Sequence, residues 1–133
     1  MTSLYIWGAG GHGRVVLDCA VDCGLAVNPD SVAAQMQSAI NQGLATAMWG
    51  KITWQQGAAD QKNFDNFRMM RMRDAPRINV QVIGSGANAP GGLGEPGLPP
   101  AAPALANAYF ALTGTRVTSL PMFSGGGGGG GGG

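Results

Sequence analysis

An α+β chain is what the sequence predicts, with two main helices over residues 29–49 and 99–114 and a few short strands over 4–7, 51–55 and 77–84. Three observations carry this expectation. The run "NPDSVAAQMQSAINQGLATAMWG" places Val32, Met36, Ala39, Ile40, Leu44, Ala47 and Met48 near helical spacing. The run "PPAAPALANAYFALTG" is rich in alanine and other strong helix formers. "LYIW", "KITW" and "INVQVIG" concentrate or alternate β-forming residues.

In chain order, "LYIW" ends at Gly8 and is followed at once by "GAGGHG". Strand, glycine turn and helix is the order this suggests. Gly8, Gly10 and Gly13 satisfy G-x-G-x-x-G, in which glycines permit a tight turn and close phosphate approach while the next helix offers its N-terminal amides. Asp30 lies at a suitable distance for a ribose contact, but "NPD" reads as a helix start. Asn28 serves as N-cap, Pro29 suits the first helical position, and Gly50 ends this helix. Gly43 interrupts it at a cost of about 1 kcal/mol relative to alanine, which points to something packed closely against its backbone. Residues 57–76 read as loop with a short extended piece near Arg68 to Met72. "GSGANAPGGLGEPGL", residues 84–98, is punctuated too often by glycine and proline for regular structure. Pro103 falls in the first turn of the second helix, Gly114 is its C-cap, and "TRVTSLPM" leads out as an extended tail.

Composition limits the function classes. The chain has 133 residues and ends in nine glycines, Gly125 to Gly133, which are expected to be disordered. The rest suits one small domain, and 44% hydrophobic content is enough for a core. Eight Lys+Arg against seven Asp+Glu leave a net charge of +1, too little to attract nucleic acid or an acidic membrane. The arginine-rich stretch "NFRMMRMRDAPR" is diluted by Asp60, Asp65 and Asp74 and reads as a solvated face. Cys19 and Cys23 match neither a C-x-x-C redox pair nor a zinc site, since only His12 could add a soft ligand, so both read as buried thiols and no metal site is expected. There is no apolar run of roughly 18 residues and no export signal.

Glu95 stands alone in "GGLGEPGLPP", in a loop just before a helix, with Gly94 and Pro96 shaping its backbone. It reads either as a solvated loop acid or as a catalytic base whose pKa burial would raise. The wider pattern bears on that choice. "AVDCGLAVNPDSVAAQMQSAINQGLATAMWGKI", "NFRMMRMRDAP" and "GGLGEPGLPPAAPALANAYFALTGTRVTSLPM", in that order over roughly residues 20–122, resemble the C-terminal end of the molybdopterin-binding large subunit of molybdenum hydroxylases. The types most resembled are bacterial aldehyde oxidoreductases and isoquinoline 1-oxidoreductases of the xanthine dehydrogenase family. The motifs are G-E-P and an upstream Q-x-x-x-A-x-x-Q-G helix.

This resemblance implies a fragment of a larger cofactor-binding domain, inactive alone. The glutamate of G-E-P, here Glu95, would lie beside the molybdenum and take the proton of the hydroxyl that attacks an aldehyde or N-heterocycle carbon. Gln35 would contact the pterin, and Gly91, Gly92 and Gly94 would pack near it. The implied cofactor is molybdopterin in its cytosine dinucleotide form. Iron–sulfur clusters would sit on a small partner subunit, since two cysteines cannot hold one four-thiolate cluster. The rest of the large subunit would complete the site, in a bacterial cytoplasm or periplasm.

Residues 3–20, "SLYIWGAGGHGRVVLDCA", instead resemble the first strand, glycine loop and helix of sialic acid O-acetyltransferase-type sugar O-acyltransferases, and the two resemblances meet around "RVVLDCAVDCG", which would serve as a helix in one family and as a buried strand in the other. That divides the chain into a Rossmann-like start over 1–20, a molybdopterin-domain-like part over 21–123 and a Ser/Gly tail over 124–133. The second functional reading is therefore a small nucleotide- or nucleotide-sugar-binding module using Gly8, Gly10 and Gly13, which would need a second parallel strand near "LAVN". A fused or artificial sequence without function is a third, and in that case missing neighbours would expose the apolar face of helix 29–49.

Overall fold

A computed structural model describes residues 3–9, 16–84 and 89–123. Strand β1 (Ser3–Ala9) pairs antiparallel with β2 (Val16–Asp22), Ser3 opposite Asp22 and Ala9 opposite Val16. Helix α1 (Pro29–Trp49) follows, then a small hairpin of β3 (Trp54–Gln55) and β4 (Ala58–Ala59), then β5 (Arg77–Ile83) and helix α2 (Ala101–Thr113). β2 and β5 are parallel, Val16 opposite Arg77, giving a sheet in the order β1-β2-β5. Parallel neighbours require a long crossover, and α1 provides it.

Period-2 alternation turns Cys19, Val21 and Cys23 of the β2 segment to one face, and Val80 and Val82 stand opposite Cys19 and Val21 on β5. The stripe Val32, Met36, Ile40 and Leu44 of α1 packs on that face and completes the core with Ile78 and Ala101. Met36 and Ile40 are fully buried, so the face of this helix that missing neighbours were expected to expose is covered within the chain. Each such side chain contributes roughly 1.5–3 kcal/mol. Gln37 Nε2 also donates to Ile78 O at 3.3 Å, tying α1 to β5.

The ends of α1 are closed. Asn28 Oδ1 accepts from Ser31 N at 3.1 Å with Pro29 behind it, as the sequence predicts. At the other end Gly50 N donates to Thr46 O, Met122 N to Ala47 O at 2.8 Å and Phe123 N to Met48 O at 3.0 Å, so carbonyls that a helix end leaves unpaired are satisfied. The chain after α2 therefore returns to α1 and is not an outward tail, and Phe123 meets Tyr109 of α2 edge to face at 6.1 Å. α2 ends at Gly114, whose φ of 72° is left-handed, as expected of a glycine C-cap.

Several boundaries differ from expectation. Of the helix and the buried strand that the segment after the glycine loop allows, the structure has the strand β2, which pairs with β1 on one side and β5 on the other and buries Cys19, Ala20 and Val21. Residues 51–53 lie outside any strand; only 54–55 pair, across a tight turn with Gln56 at φ 50° and Gly57 at φ 80°, and 58–59 form the unexpected return strand. No strand forms at 68–72, where one 3-10 turn, Met72–Asp74, is held by Arg71 N donating to Asp74 Oδ2 at 3.3 Å. α2 starts at Ala101, after Pro99 and Pro100. The glycine tail lies outside the described residues.

The packing that Gly43 signals in the sequence is present. A Cβ built there would lie 2.7 Å from Leu98 O and 2.8 Å from Ala101 Cβ. Gly43→Ala should therefore destabilise the chain by roughly 1–2 kcal/mol, overpacking outweighing the gain in helix propensity. Urea denaturation checks this, and a rise in midpoint would show that the contact relaxes freely.

Candidate functional site

The loop that carries Glu95 is fastened at both ends. Near its start, Gly91 N donates to Cys23 O at 2.7 Å, Leu25 N donates to Ala89 O at 3.4 Å, and Gly24 bridges to Pro90. At its far end a Cβ on Gly97 would lie 2.9 Å from Ala39 Cβ and 3.4 Å from Met36 O, and Gly43 receives Leu98 in the same way. Two side-chain-free positions thus let loop and helix backbones touch.

Glu95 opens a turn closed by Leu98 N donating to Glu95 O at 3.1 Å, with Pro96 fixing φ at the second position. The carboxylate is exposed and, among the described residues, makes no hydrogen bond or ion pair. The desolvation that the reading as a base requires is not supplied by this chain. Gln35 is also exposed and adjoins Met36, whose carbonyl meets Gly97. Through Gly97 the loop thus meets α1 one residue along the chain from Gln35. Gly91, Gly92 and Gly94 are exposed, and a Cβ on Gly92 or Gly94 would meet nothing within 4 Å.

Of the alternative glycine loop, Gly8 sits in β1 opposite Leu17, while Gly10, Gly13 and His12 lie outside the described residues. The next described element is the strand β2, and Leu25–Asn28 forms no second parallel strand. Among the described residues no three His, Cys, Asp or Glu side chains group closely enough to hold a metal, and no described helix is long and apolar enough to cross a membrane. Sequence reading missed Gly97, whose close approach to Ala39 and Met36 adjoins the contact of Leu98 with Gly43. Its signal was a glycine following Pro96, which "GEPGL" shares with any loop.

The molybdopterin cofactor-binding domain family matches residues 11–76. Isoquinoline 1-oxidoreductase subunit beta of Brevundimonas diminuta is 38% identical over 104 residues, which are 78% of this chain and 13% of that protein. A membrane-bound aldehyde dehydrogenase (pyrroloquinoline-quinone) of Gluconacetobacter polyoxogenes is 31% identical over 106 residues, 80% of this chain and 14% of that protein. The crystal structure of quinoline 2-oxidoreductase from Pseudomonas putida 86 shares the fold, with a TM-score of 0.71 at 19% identity over 82% of this chain and 15% of that one. The chain belongs to the molybdopterin-binding domain of the xanthine oxidase family of molybdenum hydroxylases. It spans about an eighth of the length of the relatives it matches.

The family match begins at residue 11. β2 is the central strand of the sheet, paired over its whole length with β1 on one side and β5 on the other.

Both cysteines are buried and free. Burial pushes the Cys19 thiol from 9.0 up to about 11. Between those values the unfolded chain gives up a proton that the folded chain keeps, so this thiol's contribution to stability falls as pH rises above about 9. Urea midpoints measured at pH 8 and 10.5 should drop less in Cys19→Ala than in the unaltered chain. Equal drops would mean that Cys19 ionises as readily folded as unfolded.

Proposed function

We propose that this chain supplies one wall of the molybdopterin site of a molybdenum hydroxylase, with Glu95 as the proton-accepting residue. The observation that carries the reading is the Glu95–Leu98 turn, clamped to α1 by Gly97 and Gly43 beside Gln35. The residues suit the group: Gly92 and Gly94 leave the space before the loop clear, and an amide and a carboxylate with no competing partner among the described residues border it. Gln35 would pair its amide with polar edges of the pterin, and Gly91, Gly92 and Gly94 would let it approach the backbone.

When bound, the cofactor, in its cytosine dinucleotide form, supplies a two-electron acceptor for oxidative hydroxylation. Glu95 takes the proton of the attacking water-derived hydroxyl on a carboxylate oxygen, and the carbon attacked belongs to an aldehyde or an electron-poor N-heterocycle. Pro96 limits the backbone freedom of that carboxylate, so less of its orientation is lost to entropy at the moment of reaction. Desolvation of Glu95 is assigned to the remainder of the large subunit, so this chain does not turn over alone. Iron–sulfur clusters on a small partner subunit would accept the electrons. The names of the isoquinoline and aldehyde relatives support this substrate class.

The test is Glu95→Gln in a complete homologous subunit. Turnover should fall by at least about 100-fold, the contribution of a general base, with molybdenum content by mass spectrometry unchanged. Undiminished turnover would remove Glu95 from this role, whereas loss of metal would make it a cofactor-binding residue.

A further inference from the structure

We propose that the cleft between α1 and the segment 67–72 is a binding site for an organic anion with an apolar body, separate from the Glu95 loop. Its volume is about 670 Å³, within the roughly 300–1,000 Å³ of small-molecule sites. Ala45, Ile52, Phe67, Met69, Met70 and Met72 make its walls apolar. None of its lining residues belongs to the loop 89–98.

The cleft is open to an occupant. Met69 is 51% and Met72 92% exposed, although thioether side chains are usually packed. On α1 the lining comes from Asn41, Gln42, Ala45 and Thr46, turned away from the stripe of Met36, Ile40 and Leu44 that packs on the sheet. The cleft thus touches the core through Met70, and its α1 wall lies on the other side of the helix from that stripe.

Charge selects the class of ligand. Lys51, Arg68 and Arg71 line the cleft and no carboxylate does. The nearby acids Asp65 and Asp74 line the adjoining hollow, which shares Lys51, Arg68 and Arg71 with the cleft, and Asp74 lies 3.7 Å from Arg73. Among the described residues Lys51 and Arg71 have no ion-pair partner. The Arg68 guanidinium lies 4.2 Å from the centre of the Trp49 ring, which holds it in place. An anionic head on an apolar body satisfies both the cations and the methionine-rich wall, whereas a neutral apolar molecule satisfies only the wall.

The experiment titrates anilinonaphthalene sulfonate, and its neutral counterpart phenylnaphthylamine, into the full chain labelled with carbon-13 at the methionine methyls. At low salt the sulfonate should bind at least about tenfold more tightly than the neutral dye, the effect expected of a charge-assisted contact. It should shift the Met69, Met70 and Met72 methyl signals saturably. In Lys51→Gln/Arg71→Gln, whose altered side chains are both exposed, the preference should collapse toward parity. The proposal fails if the dye fluoresces without moving those three methyls, if the two dyes bind equally, or if neither binds.

Discussion

Two missing side chains govern this structure. At Gly43 and Gly97 a helix and a loop approach so closely that a methyl group on either would lie under 3 Å from a neighbouring atom. Such contact gives little energy per atom, but it sets distances sharply because repulsion rises steeply once atoms overlap. The height of the Glu95 turn above α1 is determined by it. A larger residue at either position would lift the loop and change where the carboxylate points, even where the core beneath stayed intact.

The sheet contributes the other half of that positioning. β2 is the central strand, and beyond its end the backbone of Cys23 holds Gly91 while α1 packs over Cys19 and Val21. The loop is thus referenced to the strand at one end and to the helix at the other. Glu95 sits on irregular chain yet inherits the rigidity of regular elements, a common arrangement for functional groups carried on loops.

Helical structure was readable because its signals are local. Asn28, Pro29 and the Met36, Ile40, Leu44 stripe lie within one continuous run, and α1 has the expected limits. β2 was ambiguous because "VLDCAVD" follows a glycine-rich motif that usually opens a helix yet also suits a buried strand, and the strand is decided only once β5, some sixty residues later, lies alongside. The β3-β4 hairpin escaped notice because Gln56, unlike asparagine or aspartate, rarely marks a left-handed turn position. For the candidate site, the sequence singled out Glu95 and close packing at Gly43 but not the Leu98 and Gly97 contacts that join loop to helix. Contacts between backbone atoms leave only the glycines themselves as a trace in the sequence.

The final described residues give α1 an uncommon mechanical status. A helix of 21 residues is about 30 Å long, and most such helices are anchored along one face with free, fraying tips. Here Asn28 caps one tip, Met122 and Phe123 bond carbonyls of the other, and the Met36, Ile40 and Leu44 face rests on the sheet between them, so the helix behaves as a beam bedded along its length and pinned at one end. A load on such a beam passes into its bed. Pressure on the Glu95 loop, seated at mid-span, would be borne by the sheet beneath, while the pin made by the chain beyond α2 would keep the far end from lifting.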